Sequence, residues 1–128
     1  MSQQISEEQS NLLTKFTNPN NKKEDQDSAL DKIIEQLVAK QINLGSIVLN
    51  LGKEFTSEDS VVRSRGVLLL YEIFNRVPEL ELSPENASTY GQFLSARLLD
   101  FPTVPNVLLA INALLKNFKL YENFVSSL

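Results

Sequence analysis

Apolar residues recur along this chain at helical spacing, most clearly over residues 56–78, TSEDSVVRSRGVLLLYEIFNRVP. Val62, Gly66, Leu69, Leu70, Ile73 and Val77 share one face, and Val67, Tyr71 and Phe74 widen it. Arg65, Glu72, Asn75, Arg76 and Glu79 leave a narrow polar strip opposite. Thr56 or Ser57 is expected to cap the helix start, with Glu58 and Asp59 placing negative charge on its first turn. Pro78 biases Val77 away from helical dihedrals and closes the run. A helix apolar over more than half its circumference needs neighbours on several sides, as the inner helix of a stacked helical array has.

The same reading extends along the chain. Ile5, Leu12, Leu13 and Phe16 predict a short amphipathic helix at 6–16. The following TNPNNKKEDQD has no apolar period and reads as a flexible linker, poorly ordered over 18–26. Asp27 or Ser28 then caps a helix carrying Leu30, Ile33, Ile34, Leu37 and Val38. Asn43 begins another with Leu44, Ile47, Val48, Leu51 and Phe55. Gly45 and Gly52 weaken it by about 1 kcal/mol each relative to Ala, and offer close helix contact in exchange. Past Pro78, Ser83 is expected to cap a helix with Pro84 at its first position, where the missing N–H is harmless. Ala87, Tyr90, Phe93, Leu94, Leu98 and Phe101 form its face. Thr103 or Val104 opens the next, with Val104, Val107, Leu108, Ile111, Leu114, Leu115 and Phe118 as a stripe, and 120–128 begins a further helix. No alternating run is flanked by Asn-Gly or Asp-Gly turns, so no strand is predicted. The connections are short, which makes consecutive helices antiparallel.

Two segments repeat. GVLLLYEIF from Gly66 matches AINALLKNF from Ala110: a small residue opens each, Leu70 aligns with Leu114, and Phe74 with Phe118. A period of roughly 40–47 residues is that of HEAT and armadillo units. A two-helix unit cannot bury both faces alone, so it stacks on copies of itself. The expected fold is all-α, with 1–27 a short helix plus linker and 28–128 about two and a half HEAT-like hairpins cut from a longer array. The apolar stripe at 107–115 fits that truncation, because arrays end in a polar capping repeat. Gly66, Leu70, Phe74, Ala110 and Leu114 are the packing positions.

Composition narrows the function. Cysteine and histidine are both absent, which removes thiolate and imidazole metal ligands, disulfides, a cysteine nucleophile and a histidine base. With no glycine-rich phosphate loop either, no enzyme is expected, and no catalytic, cofactor-binding or metal-binding residue is assigned. A net charge of -4 and a pI near 4.8 oppose binding to nucleic acid or to anionic membranes. No apolar run approaches the roughly 20 residues of a membrane helix. The first ten residues carry acids and no basic–apolar tract, unlike a secretory signal or a mitochondrial transit peptide. A cysteine-free chain of this kind fits the cytosol or nucleus.

Candidate contact residues are few. Asp59 and Arg63 are spaced for a local i, i+4 ion pair, with a partner contact as the alternative. Arg65 falls on the polar strip and is the better contact candidate of the two arginines. Arg97 and Asp100 are spaced as an i, i+3 pair, with the arginine stem along the core. Glu7, Glu8, Glu24, Asp25 and Asp27 read as solvated acids. The aromatics lie on apolar stripes and read as core, since no basic groove accompanies them for base stacking.

Three further pieces, IVLNLGKEFTSED, RSRGVLLLYEIF from Arg63 and FLSARLLDFPTVPNVLLAINAL from Phe93, carry a resemblance. In order and in content they resemble the extreme N-terminus of the MMS-nineteen family, over about residues 33–115. That family is the HEAT-repeat adaptor of the cytosolic iron–sulfur assembly targeting complex. The resemblance implies a long all-helical solenoid that passes clusters to apoproteins of DNA metabolism, with roles in genome stability and transcription. It implies iron–sulfur assembly subunits, repair helicases and polymerases as partners, and a location in cytoplasm and nucleus. The alternative is an unrelated HEAT or armadillo scaffold, such as a transport or cytoskeletal adaptor.

Overall fold

The computed structural model describes residues 5–77 and 84–126, with the backbone alone over 119–126. Every regular element among the described residues is helical: α1 (Glu7–Thr17), α2 (Lys23–Val38), α3 (Leu44–Asn50), α4 (Gly52–Phe55), α5 (Ser60–Arg76), α6 (Pro84–Ala96) and α7 (Val104–Ser126). Two 3-10 turns, Arg97–Leu99 and Phe101–Thr103, make the corner between α6 and α7.

Local chemistry sets the boundaries. Ser6 opens α1 with a capping box: its side chain accepts from Gln9 N–H while the Gln9 side chain accepts from Ser6 N–H. The expected loose linker is instead a short turn, and α2 begins at Lys23, ahead of Asp27. Side-chain to backbone bonds hold that turn. Gln26 donates to the Asn18 carbonyl at 2.8 Å, Asn21 donates to Lys15 O at 3.0 Å, and Asn20 N–H donates to Asn18 Oδ1 at 2.9 Å. At the far end of α2, Lys40 takes a left-handed φ of 61°. Lys40 N–H donates to Leu37 O and Gln41 N–H to Gln36 O, which is the Schellman closure usually given to glycine.

Asn43 caps α3 as expected, accepting from Ser46 N–H at 2.7 Å. The helix predicted to run on to Phe55 breaks at Leu51, giving α3 and the single turn α4. Gly52 sits at that break and faces open space, so it is not a helix-contact position. Asp59 rather than Thr56 or Ser57 caps α5, accepting from Val61 N–H at 2.9 Å. Thr56 is occupied in closing α4, its hydroxyl donating to Gly52 O. Helix α5 ends at Arg76, with Val77 as its C-cap next to Pro78. The expected cap Ser83 lies outside the described residues, and Pro84 is the first residue of α6.

Helix α5 lies at the centre, with Val67, Leu69, Leu70, Ile73 and Phe74 all buried. It packs against α1, α4, the second 3-10 turn and, most extensively, α7. The α5–α7 pairing fixes the architecture. Asn106, near the start of α7, donates to Ser64, near the start of α5. Asn117, further along α7, donates to the carbonyl of Phe74, further along α5. These pairs advance in the same sense, so the two inner helices run parallel, in register at an offset of 42 to 43 positions. Helices α6 and α7, joined by the corner, form the hairpin that brings α7 back onto α5.

Burial corrects two predicted stripes. Phe101, expected in the core with Leu98, is 81% exposed on the 3-10 corner. On α7 the buried face is Val107, Ala110, Ala113, Leu114 and Asn117, while Leu108 and Leu115 are exposed. The predicted stripe therefore spans two faces, only one of which meets α5. The helix expected to begin near 120 is a continuation of α7.

Candidate interaction surface

The three arginines singled out by sequence are each committed inside the chain. Arg63 does not pair with Asp59, whose carboxylate is turned to the helix cap. Its Nε donates to Asp100 Oδ2 at 2.7 Å and an Nη donates to Oδ1 at 3.1 Å, a two-pronged bond across 37 positions. The other Nη donates to the carbonyl of Ser57 at 2.7 Å. Arg63 thus pins the α6–α7 corner to the start of α5. The bond to Asp100 holds the guanidinium above its ordinary pKa, and the same bond holds the Asp100 carboxyl below the usual carboxylate range.

Arg65 leaves the polar strip for α1. Its Nε donates to the carbonyl of Phe16 at 2.8 Å, and the guanidinium lies over the Phe16 ring at 4.5 Å. Partial burial pushes its pKa down, against the opposing pull of Asp27. The Arg97 side chain does not pair with the Asp100 carboxylate, which Arg63 already holds, although Asp100 N–H donates to Arg97 O at 3.0 Å. It stacks over Phe93 at 4.3 Å and reaches Phe55 at 5.7 Å, with Nε buried and without a hydrogen-bond partner. Phe55 and Phe93 meet edge to face at 4.8 Å, so arginine and rings join α4 to α6.

The packing positions fall where α5 and α7 touch their neighbours. Leu70, Phe74, Ala110 and Leu114 are buried. A Cβ on Gly66 would meet Phe55 Cε1 at 3.0 Å and Cδ1 at 3.2 Å, which is why no larger residue stands there. Tyr90 tilts against Phe74 at 6.1 Å, and burial pushes its phenol pKa up.

Three residues of consequence escaped the sequence reading. Asn106 and Asn117 are ordinary polar residues in a helix until α5 lies beside them. Glu54 is 4% exposed in a single-turn helix. Thr17 Oγ lies 3.5 Å from its Oε2, but that hydroxyl has a shorter acceptor in Leu13 O at 3.0 Å, and Oε1 has no partner. Four residues, two exposed and then two buried, are too few to leave a periodic signal.

Among the described residues no helix is long and apolar enough to cross a membrane. An all-helical stack in which the inner helices α5 and α7 run parallel, joined by the Asn106 and Asn117 amides, is an α-solenoid of HEAT-like units. Residues 48–128 match the family described as "Dos2-interacting transcription regulator of RNA-Pol-II", and the chain belongs to that family, the N-terminal region of the MMS19 proteins. Relatives bear this out. The chain is 29% identical over 102 residues to a Dictyostelium discoideum "MMS19 nucleotide excision repair protein homolog". It is 29% identical over 107 residues to the Schizosaccharomyces pombe "DNA repair/transcription protein mms19". Against the Arabidopsis thaliana homolog it is 30% identical over 104 residues. The matches take in 80 to 83% of this chain but only 9 to 10% of each relative. No solved structure matches the chain.

Proposed function

We propose that the chain is a non-catalytic scaffold, the N-terminal part of an adaptor that helps deliver iron–sulfur clusters to apoproteins of DNA repair and replication. The cluster is cargo, and it travels on other subunits. Within these 128 residues there is no Cys or His to take it, so the contribution of this segment is geometric. Rigid hairpins hold their outward side chains at fixed spacing, and partners bind across several of them. The partners are proteins: subunits of the iron–sulfur assembly complex and client apoproteins such as repair helicases and polymerases. Neither nucleic acid nor membrane is bound directly, in keeping with the acidic pI. The site of action is the cytoplasm and the nucleus, with consequences for genome stability and transcription.

The observation that carries this reading is the parallel, amide-joined α5–α7 stack in a chain whose relatives are named for DNA repair and transcription. The test is affinity purification of the whole protein, tagged, from its own cells, followed by mass spectrometry. Cluster-assembly subunits and iron–sulfur enzymes of DNA metabolism are expected among the captured proteins. A preparation with none of them would end the proposal.

A further inference from the structure

Helices α5 and α7 follow one pattern displaced by 44 positions, the separation of their starts Ser60 and Val104. The two copies differ in chemistry at their beginnings. Ser57, in the turn before α5, is matched by Phe101 on the corner before α7. Ser57 is polar and half-buried, whereas Phe101 is 81% exposed. One turn on, Val61 is matched by Pro105, and both are exposed. Another turn on, Arg65 is matched by Leu109. Arg65 is tied to Phe16 of α1, but Leu109 is 46% exposed.

These apolar side chains gather on one side of the α5–α7 seam. Ser64 accepts from Asn106 and marks where α5 faces α7. Val61 and Leu68 lie one turn to either side of Ser64 along α5. Leu109 lies one turn after Asn106 and one turn before the buried Ala113, so it borders α5 and not the opposite flank of α7. The offset of 42 to 43 positions between the helices sets Pro105 and Leu109 at heights between Val61 and Leu68. Gly66 faces Phe55 of α4. Leu68, two positions later, lies on the far side of the helix from α4 and is only partly buried.

The corner is set in advance for contact. Asp100, beside Phe101, is held by the Arg63 fork, and its carbonyl accepts from both the N–H and the hydroxyl of Thr103 at 2.9 Å. The ring is therefore displayed on a fixed turn, and little order has to be gained on binding. The charge beside it is one-sided. Arg63 stands against Asp100, Asp59 and Glu58, one positive group against three negative, a net of -2. Arg65 is committed to Phe16 O, so no free cation offsets the exposed Glu58 and Asp59 from that side. Such a border repels anionic lipid and nucleic acid.

We propose that the strip formed by Phe101, Val61, Pro105, Leu109 and Leu68 docks a segment of another protein that carries apolar side chains bounded by Lys or Arg. Its basic end meets Glu58 and Asp59. The proposal rests on the reading of the chain as a scaffold and not on the nature of the cargo, so a partner unconnected with iron–sulfur clusters would sustain it while counting against cluster delivery.

The test places a photo-reactive phenylalanine analogue at position 61 of the whole protein in its own cells and sequences the cross-linked peptides by mass spectrometry. A recurrent segment of one other protein is expected, with apolar residues flanked by Lys or Arg. Phe101→Ser installs the residue of the preceding turn at an exposed position. It should cut the cross-link yield about tenfold without moving the melting midpoint. Glu58→Lys should cut the yield severalfold at low salt and little at high salt. No cross-link, a cross-link to the same polypeptide, to a second copy, to lipid or to nucleic acid, or a segment lacking Lys and Arg overturns the proposal. So does a yield indifferent to both variants, and so does a marked fall in melting midpoint with Phe101→Ser, because the ring then belongs to the protein's own core.

Discussion

Replacing Gly66 with alanine sets two known effects against each other. In the middle of a helix, Gly→Ala gains about 1 kcal/mol of helix propensity. The new methyl, however, would sit 3.0 Å and 3.2 Å from two ring atoms of Phe55. That ring cannot swing away: it is nearly buried, meets Phe93 edge to face, and lies under Arg97. Forcing a methyl into a packed site costs about 1–3 kcal/mol, so the clash outweighs the propensity and Gly66→Ala should lose about 1 kcal/mol net. For a chain of this size that lowers the melting midpoint by about 3–6 °C. Gly66→Leu should lose about 1–3 kcal/mol or more by the same overpacking. Urea and thermal unfolding followed by circular dichroism read both. The decisive arm is a double-mutant cycle with Phe55→Ala, run in sucrose to keep the weaker variants folded. Without the ring, Gly66→Ala should become stabilising by about 1 kcal/mol. Gly66→Ala that stabilises the native chain, or that has the same effect in both backgrounds, would refute the close-packing argument.

Four other outcomes are expected. Asn117→Leu removes the buried bond to Phe74 O and leaves that carbonyl without its side-chain donor, so urea unfolding should show a loss of about 1–3 kcal/mol. Asp100 has a depressed pKa in the folded chain, so its contribution is complete above the unfolded-state value near 4 and is lost as pH falls through the lower folded value. Asp100→Asn should therefore flatten the acid side of a stability-versus-pH curve below about pH 4 and lower the plateau at neutral pH. Arg65→Lys keeps the charge but loses the planar group over Phe16, and hydrogen exchange should speed up in α1 with α7 unaffected. Lys40→Gly relieves a left-handed backbone and should raise stability by about 1 kcal/mol in a urea titration.

The helices were legible from apolar spacing, because a long amphipathic run such as 60–76 has only one economical way to bury its stripe. Caps were legible where one candidate stood alone, as with Asn43. They were ambiguous at 56–59, where Thr56, Ser57 and Asp59 all compete and Thr56 is drawn into closing the preceding turn. The turn at 18–22 looked loose in composition because the bonds that hold it arrive from Gln26 and the end of α1. Arg63 and Asp100 lie 37 positions apart, so local spacing offered Asp59 as the partner and tertiary structure supplied another. The double face of α7 was hidden for a similar reason: periodicity reports how wide an apolar stripe is, not how many neighbours share it. The resemblance to a known family reached further than any of these local signals, since order of motifs along the chain carries information that single positions do not.

The offset locked in by Asn106 and Asn117 has a bearing on how such a gene can change. Helix α7 grips α5 at a set distance along the polypeptide. An exon loss or duplication that removes or adds a whole period leaves every remaining grip matched, and the product is a shorter or longer rod. A cut of half a period would bring an outer helix to a seat shaped for an inner one, as if α6 took the place of α7 on α5. Variation in length should therefore come in steps of about one hairpin, and lesions between those steps should surface as misfolded protein rather than as altered binding.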